Sequence, residues 1–172
     1  MWKYFAVTHA DHALMNPMSL AKMREMVEML RLGDNGHVLD VACGKAEFLC
    51  MVAERYGVTG TGVDASPYTS AEAEENVKAR GLAGRIEILR MDGAEYEPDE
   101  PGSHCLASCI GGSWVYGGHE GTLKALGGMA RPGGLVLVGE PFWRGEPAPE
   151  YLERTGYARE QQGSHAGNVK AG

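Results

Sequence analysis

Short apolar runs alternate along the chain with longer stretches in which apolar residues recur every three or four positions. The short runs are rich in branched side chains and bounded by glycine or aspartate, which is typical of buried strands. They span residues 37–42, 58–63, 85–90, 105–110 and 135–138. The longer stretches indicate helices at 46–56, 67–80 and 122–130. Strands separated by such helices predict right-handed crossovers and a parallel sheet.

A further helix is predicted before the first strand. Asn16 and Pro17 suit its start, because asparagine caps free amides and proline fits the first helical position. The helix would end near Gly33. Methionines in and beside this segment are interpreted as flexible core packing: Met15, Met18, Met23, Met26 and Met29.

The two ends of the chain look less regular. Residues 1–15 precede the predicted helix and form a candidate lid over the sheet. Beyond Phe142 a short helix is predicted at 148–154, but residues 161–172 have almost nothing apolar to bury. We therefore expect residues 145–172 to form a weakly structured tail on a single domain, 1–172.

Composition narrows the classes of ligand. The 172 residues are 44% hydrophobic and 23% charged, as in an ordinary folded domain. A net charge of −7 gives no electrostatic reason to bind nucleic acid or anionic lipid, so a small-molecule ligand is expected. Because the sequence has no apolar run of about 20 residues and no signal-peptide pattern, we expect no membrane association and a cytoplasmic location.

The chain has four cysteines: Cys43, Cys50, Cys105 and Cys109. They form no Cys-x-x-Cys pair, and no histidine lies at zinc-ligand spacing from them. The sequence therefore predicts buried thiols and no metal site.

Three candidate ligand groups follow the first three strands, where ligands bind in open parallel sheets. Small residues at 42–46 allow close approach of a ligand to the backbone. Asp64 lies 24 positions beyond Asp40, at the end of the second strand, where a carboxylate accepts hydrogen bonds from ribose hydroxyls. Asp92 and Gly93 follow the third strand. Each feature alone also suits an ordinary turn, but together they indicate an adenosine ligand.

In this combination the sequence resembles the class I S-adenosylmethionine-dependent methyltransferases. The resemblance runs from about residue 16 to 144 and rests on four segments. They are Val-Leu-Asp-Val-Ala-Cys-Gly at 38–44, Gly-Val-Asp-Ala-Ser at 62–66, Met-Asp-Gly-Ala at 91–94 and Arg-Pro-Gly-Gly at 131–134. It implies an α/β fold with a Rossmann-like, doubly wound, mostly parallel sheet of order 3-2-1-4-5, and S-adenosylmethionine as cofactor.

The resemblance also implies a set of cofactor-binding residues: Ala42, Cys43, Gly44, Asp64, Ala65, Asp92, Gly93, Cys109 and Ile110. The backbone at 42–44 would face the methionine part, Asp64 would accept from the ribose, and Asp92 would bind the adenine amine. Ala65 would pack on the adenine. The end of the fourth strand, at 109–110, would lie near the sulfonium.

The sequence departs from the family pattern in three respects: two glycine positions, the start of the fourth strand, and the region after the fifth strand. Ala42 and Ala46 stand where the family usually has glycine, and Cys105 stands near the start of the fourth strand, where aspartate is common. Residues after Phe142 supply no convincing sixth or seventh strand, which leaves the fifth strand as a sheet edge. We expect a missing C-terminal segment to cover that edge, with a homo-oligomeric partner as the alternative.

Catalytic residues are not assigned by the sequence, because methyl transfer mainly requires positioning and exclusion of water. Candidate general bases are His119 and Glu140 near the strand ends and His9 and His12 in the candidate lid. Four aromatic residues are candidates for a wall around an acceptor: Trp114, Tyr116, Phe142 and Trp143.

The function predicted from the sequence is methyl transfer from S-adenosylmethionine to an unidentified small molecule. One alternative is a truncated or non-catalytic module that binds the cofactor, or nothing. Another is a nicotinamide-dependent oxidoreductase, but residues 42–48 do not match the Gly-x-Gly-x-x-Gly pattern that this class requires.

Overall fold

Five strands form one sheet in the computed structural model, which describes residues 2–172. The strands are β1 (His37–Val41), β2 (Thr59–Asp64), β3 (Ile86–Arg90), β4 (His104–Ile110) and β5 (Ala130–Gly139). They lie in the order β3-β2-β1-β4-β5, and every neighbouring pair is parallel. The α/β class and strand order predicted from the sequence are confirmed.

Within residues 2–172, seven α-helices connect and flank these strands. They are α1 (Trp2–Thr8), α2 (Leu20–Met29), α3 (Glu47–Tyr56), α4 (Pro67–Ala79), α5 (His119–Met129), α6 (Pro149–Thr155) and α7 (His165–Ala171). Single 3-10 turns occur at Gly93–Glu95, Ser113–Tyr116 and Arg159–Gln161. Over residues 2–172, no helix combines the length and apolarity needed to cross a membrane.

Helices cover both faces of the sheet, and consecutive residues of β1 point to opposite faces. Val38 packs with α2 and α3 in one cluster of buried side chains. Leu39 and Val41 pack on the other face, where Leu126 of α5 is fully buried. Residues at the carboxyl ends of the strands are therefore carried by a sheet that is fixed from two sides.

The first predicted helix begins later than the sequence indicated. Ser19 caps α2, and its hydroxyl accepts from the Lys22 amide at 3.3 Å. Asn16 instead bonds locally, because its Oδ1 accepts from the Met18 amide at 3.0 Å. The predicted start at Asn16 and Pro17 is wrong, since two residues with capping side chains lie three positions apart and the second one is used.

The methionines of this region do not share one environment. Met23 is buried, and Met18 and Met26 pack partly buried against the same core, as predicted. Met29 is 67% exposed, so its assignment to the core is wrong. All four cysteines are free thiols, and three are buried, in agreement with the interpretation of buried thiols.

The C-terminal region is more ordered than its polar composition predicted. The helix expected at 148–154 forms as α6, but α7 also forms within the stretch expected to fray. Ser164 caps α7 by accepting from the Gly167 amide at 3.1 Å, and the Asn168 carbonyl lies 3.1 Å from His119 Nε2. Hydrogen bonds hold this segment, and no side chain of α7 is buried. The spacing of apolar residues could therefore not indicate the helix.

Strand β5 lies at one edge of the sheet. Its outer side pairs with no strand among residues 2–172, and its Leu135 and Val136 side chains are 39% and 38% exposed. It begins at Ala130, earlier than predicted, and its register against β4 shifts between His104 and Leu106 around the Pro-Gly-Gly turn. What covers this edge, a further segment or a second copy, stays a prediction.

Candidate functional site

The turn after β1 has an uncommon backbone conformation. Ala42, Gly44 and Ala46 all have positive φ values, of 56°, 56° and 57°. The Cys43 amide between them donates to the Val63 carbonyl at 3.1 Å, which ties the turn to the end of β2. A left-handed conformation is costly for alanine, so two of these three positions store strain that glycine would not.

We expect Ala42→Gly to stabilise the protein by about 1 kcal/mol, because glycine adopts a positive φ without the clash of a Cβ atom. The change should raise the melting temperature by about 3 °C in thermal denaturation followed by circular dichroism. Ala71→Gly, on the exposed face of α4, is the matched control and should lower it. A fall for both variants would contradict strain at Ala42.

Asp64, the last residue of β2, is fixed across the turn. Its Oδ2 accepts from the Gly44 amide at 3.0 Å, and its Oδ1 accepts from the Ser66 amide at 2.9 Å. Burial raises the pKa of the Asp64 carboxyl, against the opposing effect of these two amide bonds. One lone pair of each oxygen is left for a ligand.

Asp40 is a second carboxylate at the same edge, on β1 itself. It is only 3% exposed, and its Oδ1 accepts from the Ser108 hydroxyl of β4 at 2.8 Å. Burial raises the pKa of Asp40 from 3.8 to about 7, while the Ser108 bond acts in the opposite direction. Sequence reasoning assigned Asp40 no role, although a carboxylate inside an apolar strand was a usable signal.

These groups face a cavity of about 660 Å³, a volume within the usual range for small-molecule sites. Residues of β1, of the strand ends and of the elements that follow them line it: Asp40, Ala42, Cys43, Gly44, Lys45, Glu47, Phe48, Asp64, Thr69, Ile110, Gly111 and Trp114. Residues before β1 and in the C-terminal region complete the lining: Trp2, Phe5, Ala13, Leu14, Met15, Asn16, Met23, Thr155, Gly156, Tyr157 and Gln161. The site therefore combines a buried carboxylate, Asp40, and a partly buried one, Asp64, with a largely apolar wall.

The sequence model of the methyltransferase domain family matches residues 38–134, from the second residue of β1 to the first half of β5, and includes the turn at Gly44. This chain belongs to that family. Uncharacterized protein YjhP of Escherichia coli K12 is 33% identical over 150 residues, which are 87% of this chain and 60% of YjhP. The chain thus spans less than two thirds of the length of that curated relative.

Two solved structures resemble nearly the whole of this chain. A methyltransferase from Thiobacillus denitrificans, crystallised with S-adenosylhomocysteine, superposes with a TM-score of 0.88 at 33% identity over 98% of this chain and 68% of its own. One from Geobacter sulfurreducens, with the same ligand, gives a TM-score of 0.90 at 32% identity over 98% and 68%. The Rossmann-like methyltransferase fold implied by the resemblance is confirmed.

The cavity brings together five of the nine cofactor-binding residues expected of a member of this family. Ala42, Cys43, Gly44, Asp64 and Ile110 line it. The remaining four lie outside its wall: Ala65, Asp92, Gly93 and Cys109. Direct contact of each of the nine with a ligand stays a prediction.

Asp92 lies at the same rim as Asp64 but beyond the cavity wall. The Met91 amide donates to the Asp64 carbonyl at 3.2 Å, and Asp92 lies two residues past Arg90, which pairs with Asp64 at the end of the β2–β3 ladder. Its Oδ1 accepts from the Ala94 amide at 3.0 Å and caps the 3-10 turn there. Gly93 is buried, and a Cβ atom there would overlap the Val41 side chain, so packing alone requires glycine.

The expected aromatic wall has different members from those predicted. Trp114 lines the cavity, with 69% of its surface exposed. Tyr116 donates to the Gly93 carbonyl at 2.9 Å, and burial raises its pKa to about 12. Phe142 packs beside His165, and Trp143 donates to the Arg159 carbonyl at 3.0 Å. The aromatic side chains that join Trp114 come from elsewhere in the chain: Trp2, Phe5, Phe48 and Tyr157.

None of the four candidate bases lines the cavity. His9 stacks on Phe5 and lies 3.0 Å from the Thr8 hydroxyl, and His12 packs against His9. One buried nitrogen of His119 and one buried oxygen of Glu140 have no hydrogen-bond partner among residues 2–172. None of these four is therefore placed to act as a general base at the cavity.

Proposed function

We propose that this chain binds S-adenosylmethionine and directs its methyl group to a small-molecule acceptor. The proposal is carried by the Asp64 carboxylate, which the Gly44 and Ser66 amides hold at the cavity. A carboxylate at the end of the second strand suits the two hydroxyls of a ribose. Family membership, and the two relatives crystallised with S-adenosylhomocysteine, support the same cofactor here.

The residues of the cavity fit this cofactor in charge and in shape. When bound, S-adenosylmethionine supplies a methyl group on a positively charged sulfur, and it also has an ammonium group. Asp40 and Asp64 give the wall two carboxylates that suit these positive centres. Gly44 adds no side chain between the ligand and the backbone. We assign the methionine end to Asp40 and Gly44 and the adenosine end to Asp64.

The acceptor would meet a wall that is mostly apolar. Within the described residues, the one lysine of the wall, Lys45, is paired with Glu72 at 2.7 Å and is not available to an anion. We therefore propose a small acceptor without a strong negative charge. The apolar side chains would hold it in line and exclude water, which is the main requirement for displacement at a sulfonium.

Calorimetric titration of the full chain tests the cofactor assignment. We expect S-adenosylhomocysteine and S-adenosylmethionine to bind and NAD⁺ to give no heat at the same concentration. Methyl transfer from labelled S-adenosylmethionine should then favour uncharged acceptors over carboxylates and phosphates in a mixed panel. Binding of NAD⁺ alone would favour the oxidoreductase alternative, and no binding of any of the three would contradict the proposal.

A further inference from the structure

Lys45 follows Gly44 in the turn after β1, yet its side chain points to the N-terminal segment. Its Nζ donates to the carbonyls of His9 at 2.8 Å and Ala10 at 3.1 Å. The same ammonium pairs with Glu72 of α4 at 2.7 Å, and the Lys45 side chain is only 12% exposed. An ammonium has three donors, so all three have a partner here.

Residues on one side of α4 contact Lys45 and the neighbouring Glu47. Glu72, Asn76 and Arg80 follow each other at intervals of four residues and lie on the same side of the helix. Asn76 Nδ2 donates to the Lys45 carbonyl at 3.0 Å, and Arg80 Nη1 pairs with Glu47 at 2.9 Å. Backbone and side chain of Lys45 are both held, so its ammonium occupies a fixed position beside the turn.

The segment that Lys45 holds lies over the cavity. Met15 lies above Gly44, because a Cβ atom built at Gly44 would be 3.4 Å from the Met15 sulfur. Asn16 lies above Gly111 at the end of β4, at 3.2 Å by the same construction. Ala13 and Leu14 also line the cavity. Residues 9–16 therefore cross the ends of β1 and β4, with Lys45 at their upstream end.

We infer that Lys45 is a positioning residue, which tethers residues 9–16 over the cofactor cavity and slows the escape of a bound ligand. The effect on ligand escape rests on the proposed function, whereas the tether itself does not. Charge-assisted hydrogen bonds are stronger than neutral ones, and here two of them end on backbone carbonyls of a segment without regular structure. Their loss frees the segment while the turn stays held by α4.

Lys45→Met tests the tether, because methionine keeps an unbranched apolar stem and removes the ammonium. In the protein without cofactor, we expect amide hydrogen exchange within residues 9–16 to become about tenfold faster, and exchange in β1 and β4 to stay unchanged. The dissociation rate of S-adenosylhomocysteine, measured by stopped flow, should also rise about tenfold, with a smaller change in the association rate.

Lys22→Met is the matched control, since Lys22 pairs with Glu25 on the surface of α2 and its side chain is 72% exposed. It should leave both rates unchanged. Glu72→Gln removes the charge partner but keeps the two carbonyl contacts, so it should give an intermediate effect. Unchanged exchange within residues 9–16 in Lys45→Met would overturn the tether. Failure of the wild-type protein to bind S-adenosylhomocysteine would contradict the proposed function, and the exchange measurement would still test the tether.

Discussion

Asp64→Asn is expected to weaken binding of S-adenosylhomocysteine by about 100-fold. Both oxygens of Asp64 already accept one backbone amide, so only their second lone pairs remain for ribose hydroxyls. Asparagine replaces one acceptor by an amino group, which would face either the Gly44 or the Ser66 amide as a second donor. The variant thus loses a ligand contact and disturbs the turn that presents the other groups.

Calorimetry at one pH, with thermal denaturation in parallel, separates these two effects. Asp34→Asn is the matched control: it makes the same change of charge in the exposed loop before β1, at the opposite end of the strands. Its affinity should equal that of the wild type. An Asp64→Asn variant that remains folded and binds within threefold of the wild type would remove Asp64 from the site.

Asp40→Asn is expected to make the protein more stable above neutral pH and poorer at binding its cofactor. Burial raises the pKa of Asp40 from 3.8 to about 7. The folded protein therefore binds a proton that the unfolded chain releases at lower pH. This contribution to stability is fully present below pH 3.8 and is lost as the pH rises through about 7. It amounts to at most about 4 kcal/mol.

Asparagine has no carboxyl to ionise, so this pH dependence should vanish in Asp40→Asn. Urea denaturation at a series of pH values measures it: the two curves should agree at pH 4 and diverge by pH 8, with the variant more stable. Ser108→Ala removes a hydrogen bond that favours the charged form, so it should move the wild-type transition to higher pH. Parallel curves for wild type and Asp40→Asn would contradict ionisation of Asp40.

Cofactor binding should improve as the pH rises, whereas stability should fall. A ligand with an ammonium group favours the ionised form of Asp40, so wild-type affinity for S-adenosylhomocysteine should rise by up to about tenfold between pH 6 and 8. Asp40→Asn should bind more weakly and nearly independently of pH. The same side chain would then lower stability and serve binding, which is a common trade-off at functional sites.

The sheet, and the part of the site that directly follows its strands, could be predicted from the sequence because the patterns that indicate them are local. Branched apolar runs that end in glycine or aspartate gave all five strands, and Asp64 followed from its place after the second one. Ser19 and Asn16 are equally good caps by residue type, and only the contacts of the folded chain decide between them. The helix α7 was missed because hydrogen bonds, not apolar burial, hold it.

The other half of the cavity wall depends on segments far apart in sequence. Trp2, Phe5 and Tyr157 carry no pattern that points to β1, and they reach the site only through the path of the two chain ends. The sequence placed Phe142 and Trp143 there instead, because both follow the fifth strand directly. The local sequence shows which residues follow a strand, but it does not show which distant segment of the chain packs over them.

The Ala42 methyl has a consequence for how this family can diverge. A Cβ atom at Gly112 would lie 2.5 Å from it, so the pair cannot both carry side chains without a shift of the backbone. In relatives with glycine at the position of Ala42, the position of Gly112 can carry a side chain. The two sites should therefore covary across an alignment, and a lineage that acquires the alanine must acquire or already hold the glycine.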